Sequence, residues 1–369
     1  MDFTFSEEQD AVRGLATQVF EGHATPERVK EVERSEERVD RELLRALADA
    51  GLLAIAVPEE HGGSGLGLAE LCLLLEQQGR RVAPVPLWPT LVLGAPAIAE
   101  FGSPEQQQAW LPGVATGEVV LTAALAESGA NDPLRPQVTA TADGGSWRLD
   151  GDKPSVPAGH VADRVLVPAS TGDGELGVFV VDPAGPGVER TVAATTDRSK
   201  VGHLAFAGAL AEQLPADGRR VTAWMLDRAL VGLCATQVGV AEGALRMAAD
   251  YTSERQQFGR PLSTFQGVAL KAADAYIDTE AMRVTLWQAA WRLTAGLDAT
   301  NEVMVAKWWA SEGGQRVVHI TQHLHGGMGA DVDYPVHRYF LWGKQIEDTL
   351  GGASAQLARL GRALAEAPA

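Results

Sequence analysis

Apolar positions recur at helical spacing from the start of the chain to about residue 118, which predicts helices through that stretch. Ser6 with Gln9 makes a capping-box pattern at the head of the first. Arg41-Glu42-Leu43-Leu44-Arg45-Ala46-Leu47 is amphipathic, and Gly51 stands where a glycine ends a helix. Residues 69–79 are helical and nearly all apolar on one side, and Ser103-Pro104-Glu105-Gln106 opens another helix with a serine cap. Between these, Val57-Pro58-Glu59-Glu60-His61-Gly62-Gly63-Ser64-Gly65 reads as a loop whose glycines let backbone approach closely. It lacks the lysine and the serine or threonine of a nucleotide-hydrolase phosphate loop.

Near Gly117 the pattern changes to short apolar runs separated by glycine, proline and aspartate. Strands are predicted over 138–142, 146–150, 164–168, 176–181, 188–192 and 203–206, with Asp143-Gly144-Gly145 as a hairpin turn. Helical spacing returns at about Arg219, with helices predicted over 221–253, 265–294, 301–323 and 353–366. Gly239, Ala241, Gly243 and Ala244 give one face small residues, as close helix packing in a bundle needs. The order is helical, then β, then long helices, without tandem repeats.

A chain of 369 residues and 39.0 kDa is long enough for more than one domain. Its texture divides it at 1–118, 119–213 and 214–369. The formal net charge of -17 argues against a nucleic-acid surface, which needs a basic footprint. Cys72 and Cys234 lie in apolar stretches and read as small buried hydrophobes of a reducing compartment, not as a disulfide or metal framework. No charged-then-apolar leader and no membrane-length apolar run is seen, so a cytoplasmic protein is expected.

One stretch interrupts the last helical region: Glu254-Arg255-Gln256-Gln257-Phe258-Gly259-Arg260-Pro261-Leu262, with Phe265-Gln266 close behind. Gly259 and Pro261 predict a break there. It leaves a guanidinium, an aromatic ring and a carboxamide at one helix–loop–helix corner. Arginine offers a fixed fork of donors that suits paired phosphate oxygens, although a surface arginine beside a turn has the same pattern.

Taken in order, these features resemble the acyl-CoA dehydrogenase family over essentially the whole chain. The 57–65 loop resembles its N-terminal glycine-rich signature. The corner from Arg255 to Pro261, the Gly326-Gly327-Met328-Gly329 turn and Tyr334-Pro335-Val336-His337-Arg338 resemble its C-terminal signatures. The resemblance implies an α+β multidomain fold with an N-terminal helical domain, a middle β-barrel or sandwich and a C-terminal four-helix bundle. It also implies FAD at a subunit interface, with the ring in one subunit's β domain and the pyrophosphate and adenosine on the neighbour's bundle. Carried over, Arg255 pairs with the neighbour's pyrophosphate, Gln257 and Phe258 lie beside it, and Gln266 hydrogen-bonds it. His323, Gly326 and Gly327 lay backbone donors against the same cofactor, as glycine turns do for phosphates. A plain helix stop is the other reading of Gly326-Gly327. The resemblance further implies an acyl-CoA substrate and an electron-transfer flavoprotein as acceptor.

The family's reaction needs a carboxylate at the thioester's α-carbon. Of the two positions where relatives carry it, this chain has Leu350 at one and, at about the other, Ala229. Glu347 and Asp348 are weak alternatives, since Gly351 anchors the register; a solvated acidic pair is their plainer reading. In the β region, Leu125-Ala126-Glu127-Ser128-Gly129 and Lys153-Pro154-Ser155-Val156-Pro157 replace the family's hydroxyl and aromatic contacts to the flavin ring, and Pro157 has no N–H to substitute. Groups for the chain's own ring are missing while groups for a neighbour's cofactor are present. The chain therefore resembles the base-less subunit of actinobacterial α2β2 enzymes for bulky steroid side-chain thioesters, paired with a homologous subunit that supplies the glutamate. A homomeric flavin-dependent monooxygenase or oxidase, or a non-enzymatic scaffold of the same fold, are the alternatives. Trp308-Trp309 and Trp287 to Trp291 read as packing. His319 and His323 share a helical face but His325 falls off it, so no metal site is expected. Lys271 and Lys307 read as surface or cap residues.

Overall fold

The computed structural model describes residues 4–129, 132–172 and 174–366. Six helices come first: α1 (Glu7–His23), α2 (Pro26–Arg34), α3 (Arg41–Asp49), α4 (Leu68–Arg81), α5 (Ala95–Phe101) and α6 (Pro104–Ala115). The caps form as the sequence predicts. The hydroxyl of Ser6 accepts from the Gln9 N–H while the Gln9 side chain accepts from the Ser6 N–H, and Ser103 with Gln106 repeats the arrangement.

Seven strands follow: β1 (Leu121–Ala123), β2 (Thr139–Asp143), β3 (Ser146–Pro157), β4 (Arg164–Gly172), β5 (Glu175–Val181), β6 (Val188–Ala194) and β7 (Lys200–Gln213). β4 pairs with β2 and β5, β2 with β3, β3 with β7 and β7 with β5, so the ladder closes into a barrel. β1 joins β4 in parallel, and β6 adds to β7. Leu149, Val165, Val167, Phe179, Leu204 and Phe206 fill the interior. Inside the same region the ammonium of Lys153 pairs with Glu127, both side chains fully buried. Burial lowers the Lys153 pKa, and the Glu127 carboxylate opposes that shift.

The chain continues as α7 (Gly218–Glu254), a two-stranded hairpin of β8 (Gln256–Gln257) and β9 (Arg260–Pro261), then α8 (Gln266–Thr294), α9 (Thr300–Leu324), α10 (Val336–Asp348) and α11 (Ala353–Glu366). α9 packs against α8, α10 and α11. The described residues form two compact units. One is drawn from Val32–Leu71 and Pro84–Ala229, the other from the rest. No helix among the described residues is long and apolar enough to cross a membrane.

Apolar spacing did not predict α10, because its inner face buries His337 and Arg338 beside Val336, Tyr339 and Ile346 and so blurs the period. β7 is longer than predicted because its second half, Ala207 to Gln213, is carried by weak strand formers.

The small residues of α7 have a definite use. A Cβ built on Gly239 would lie 2.0 Å from the Glu76 carbonyl oxygen, and one on Gly79 would lie 2.1 Å from that of Thr236. α4 and α7 therefore touch backbone to backbone. Beside this contact Arg283 of α8 bonds Glu76 at 2.8 Å and Glu242 at 2.6 Å, and Arg80 bonds Glu242 at 2.7 Å. Burial raises the Glu76 pKa against the pull of Arg283 and Arg80. Gly239→Ala is expected to cost about 2–3 kcal/mol in urea unfolding, since backbone cannot move aside. Gly14→Ala, in α1 with open space over its Cα, is expected to add about 0.5–1 kcal/mol.

Candidate functional site

The corner after α7 is a tight hairpin. Gln256 pairs with Pro261 and Gln257 with Arg260, leaving Phe258 (φ 54°) and Gly259 (φ 78°) as its tip. Two left-handed residues in sequence make the turn that suits strand twist, but a phenylalanine there is strained. The ring is 92% exposed. Strain and an exposed aromatic at one residue mark a place kept for contact outside the chain. Arg260 lies over the Phe265 ring at 4.0 Å. Arg255 is exposed, and among the described residues no hydrogen bond or ion pair takes up its guanidinium. Gln257 and Gln266 are also exposed.

α8 starts just beyond, with Phe265 as N-cap and no side-chain cap. The N–H groups of Val268 and Ala269 donate to the Phe265 carbonyl, so those of Gln266 and Gly267 are the ones left for a ligand at the positive end of the helix dipole. Gly267, in that first turn, has open space over its Cα and an ordinary φ, so nothing within the chain calls for glycine.

The second segment follows α9. Gly326 has φ 58° and begins a 3-10 turn, Gly326–Ala330. Gly327 again has open space and an ordinary φ. His323 is exposed and lines an open cleft of about 350 Å³ with His319, Gln322, Gly326, Ala330 and Phe340. The Gln322 amide donates to the Gly329 carbonyl at 2.9 Å, while its side-chain oxygen is buried without a partner. The two segments meet through rings: His325 stacks on Tyr251 at 4.7 Å and lies 5.2 Å from Tyr334. Tyr251 is one turn before Arg255, whose N–H donates to the Tyr251 carbonyl. Sequence reasoning missed His325, Tyr251 and Arg260; only the position of His325 beside the glycine pair hinted at it. A free guanidinium, an uncapped helix start, open glycine backbone and an unpaired amide oxygen together suit a phosphate-bearing ligand with hydrogen-bonding groups.

Neither Leu350 nor Ala229, the residues that the resemblance puts at base positions, has a side chain that accepts a proton. Leu350 follows α10 at φ 58°, and Ala229 is fully buried, its carbonyl accepting from the Trp88 indole at 3.0 Å. Glu347 pairs with Lys344, and Asp348 is exposed. Lys307, expected at the surface or as a cap, is fully buried: it donates to Ser311 and to the carbonyls of Ile346 and Glu347, each at 2.9–3.0 Å. It thus caps α10 from α9. Burial pulls its pKa down to about 8, with Cys234, Asp348 and Glu347 opposing. In the β region Ser155 is exposed at φ 51°, and the Pro157 carbonyl accepts from the Thr122 hydroxyl at 2.7 Å. Among the described residues no cluster of three or more His, Cys, Asp or Glu side chains is placed to hold a metal.

Residues 6–118 match the family described as acyl-CoA dehydrogenase, N-terminal domain, and residues 216–364 match acyl-CoA dehydrogenase, C-terminal domain. Acyl-CoA dehydrogenase FadE27 of Mycobacterium tuberculosis is 43% identical, with 100% of both chains covered. Among solved structures, a variant of the Tcur3481-Tcur3483 steroid ACAD is 54% identical, with 98% of each chain covered and a TM-score of 0.93. The ChsE4-ChsE5 complex from Mycobacterium tuberculosis is 44% identical, with 100% of each covered and a TM-score of 0.95.

If the hairpin tip is strained, Phe258→Gly should raise the stability of the isolated chain by about 0.5–1 kcal/mol in urea unfolding. A loss of stability would show that the ring serves its own fold.

Proposed function

This chain belongs to the acyl-CoA dehydrogenase family, and we propose that it is the subunit of a two-subunit enzyme that completes its partner's FAD site and has no base of its own. Family members are FAD-dependent oxidoreductases, and the flavin, when bound, accepts the hydride leaving the β-carbon of an acyl-CoA thioester.

This chain's part is binding and orientation. Arg255 pairs with the pyrophosphate, and the open N–H groups at the start of α8 add donors. Phe258 packs beside it, with Gln257 and Gln266 along the same edge. His323, Gly326 and Gly327 offer a backbone surface that no Cβ obstructs. The region 214–369 serves as this gripping bundle, and 119–213 is the β domain. The proton acceptor comes from a homologous subunit carrying glutamate where Leu350 stands here, giving an α2β2 assembly. Electrons leave to an electron-transfer flavoprotein.

One observation carries the reading: the Arg255 guanidinium has no hydrogen-bond or ion-pair partner among the described residues, while Leu350 and Ala229 hold the positions where the resemblance puts a base. A second supports a partner. Leu270, Ile277, Val284 and Trp291 are exposed at every seventh position of α8, an apolar stripe of the kind that another subunit covers. The similar structure named as a steroid ACAD supports a bulky steroid side-chain thioester as substrate, and the ChsE4-ChsE5 complex supports a two-subunit assembly.

Co-expression with a homologue bearing the glutamate should give half as many flavins as polypeptides, by calibrated absorbance. Arg255→Ala in this chain should weaken flavin binding about 10- to 100-fold, as loss of charge-assisted hydrogen bonds does. One flavin for every chain purified alone, with thioester oxidation, would refute the reading.

A further inference from the structure

We propose that His325 is a positioning residue that joins the Arg255 corner to the Gly326-Gly327 turn and holds them in register only while its imidazole is neutral. The role in cofactor binding rests on the reading above; the coupling of the two segments does not. The ring nitrogen Nδ1 lies 2.7 Å from the Thr321 carbonyl oxygen. A carbonyl only accepts, so Nδ1 carries the proton and Nε2 has the lone pair. Nε2 is buried with no partner, and the residue is 1% exposed. Its ring is nearly parallel to Tyr251, at 27°, and tilted against Tyr334 at 53°. One ring thus touches both α7, a turn before Arg255, and the segment after the glycine turn.

A second proton would put an N–H at Nε2 with nothing to receive it, in a buried place. Other groups act from the neighbouring elements. On α7 they are Asp250 and Glu254, with Arg255 just past its end; after the turn, Asp331, Asp333 and Tyr334; on α10, His337; on α9, His319 and His323. The carboxylates are exposed and favour an imidazolium weakly through solvent. Burial lowers the His325 pKa from its ordinary value, with the hydrogen bond to the Thr321 backbone opposing. The sign follows. The unfolded chain takes up the proton first, so this contribution is present above the ordinary histidine pKa and is lost as pH falls through it toward the folded value.

The test is amide hydrogen exchange over 322–330 in the purified chain, corrected for intrinsic rates, at pH 7.5 and 5.5. The wild-type segment should exchange faster at the lower pH, by at most about tenfold, the limit that linkage sets for one imidazole of ordinary pKa about 6.5. His325→Phe keeps the stack without titrating and should abolish the difference. His325→Gln, which keeps an N–H for Thr321, is a second non-titrating variant should phenylalanine not fold. No pH response in the wild type, or the same response in either variant, would overturn the proposal. Flavin release from the co-expressed assembly is a separate readout. It should speed up with acid only when His325 is present; an assembly without flavin on this chain defeats the functional reading, while the exchange result still decides the role of His325.

Discussion

Among the described residues the guanidinium of Arg255 has no hydrogen-bond or ion-pair partner, and its surroundings keep it that way. The hairpin turns the chain away from it through two left-handed residues. α8 begins without a capping side chain that would compete for its first N–H groups. Arg260, its near neighbour, is stacked on Phe265 instead. The left-handed Phe258 and the missing cap each cost the isolated chain about 1 kcal/mol. A stable core tolerates such costs. Backbone contact at Gly79 and Gly239, and the Glu76–Arg283–Glu242–Arg80 network beside it, brace the unit that carries the corner.

The loop that bears the base in relatives is not a degraded segment. Lys307 and Ser311 hold the carbonyls of Ile346 and Glu347 on one side. The Gln356 amide holds those of Leu350 and Gly351 on the other. The chain keeps the architecture of the loop and places a leucine in it, at a left-handed φ that leucine adopts only under constraint. Maintained polar contacts around Leu350 are what the proposed subunit, working beside a partner that supplies the base, would retain.

Much of the architecture was legible because it rests on local rules. The caps at Ser6 and Ser103, the alternation of the strands and the small residues of α7 each have one physical use, and the structure puts them to it. What escaped notice breaks a local rule for a tertiary reason. α10 buries His337 and Arg338, so its period is hidden. Lys307 reads as a surface or cap residue; it is a cap, but a buried one, because the free carbonyls ending α10 draw its donors inward. The hairpin at 256–261 lacks the asparagine–glycine pair that announces such turns. His325 falls off the helical face of its neighbouring histidines, and its stacking partners are distant in sequence. Arg255, Phe258 and Gln266 were singled out only through family resemblance, and the exposure of all three is visible only in three dimensions.

The most direct measurement is a structure of the assembled two-subunit protein with FAD bound. The account predicts the pyrophosphate within hydrogen-bonding distance of Arg255 and the flavin ring seated in the other subunit. A flavin ring lying against Ser155 and Pro157 of this chain, in a self-paired molecule with Glu347 or Asp348 aimed at the thioester, would contradict it.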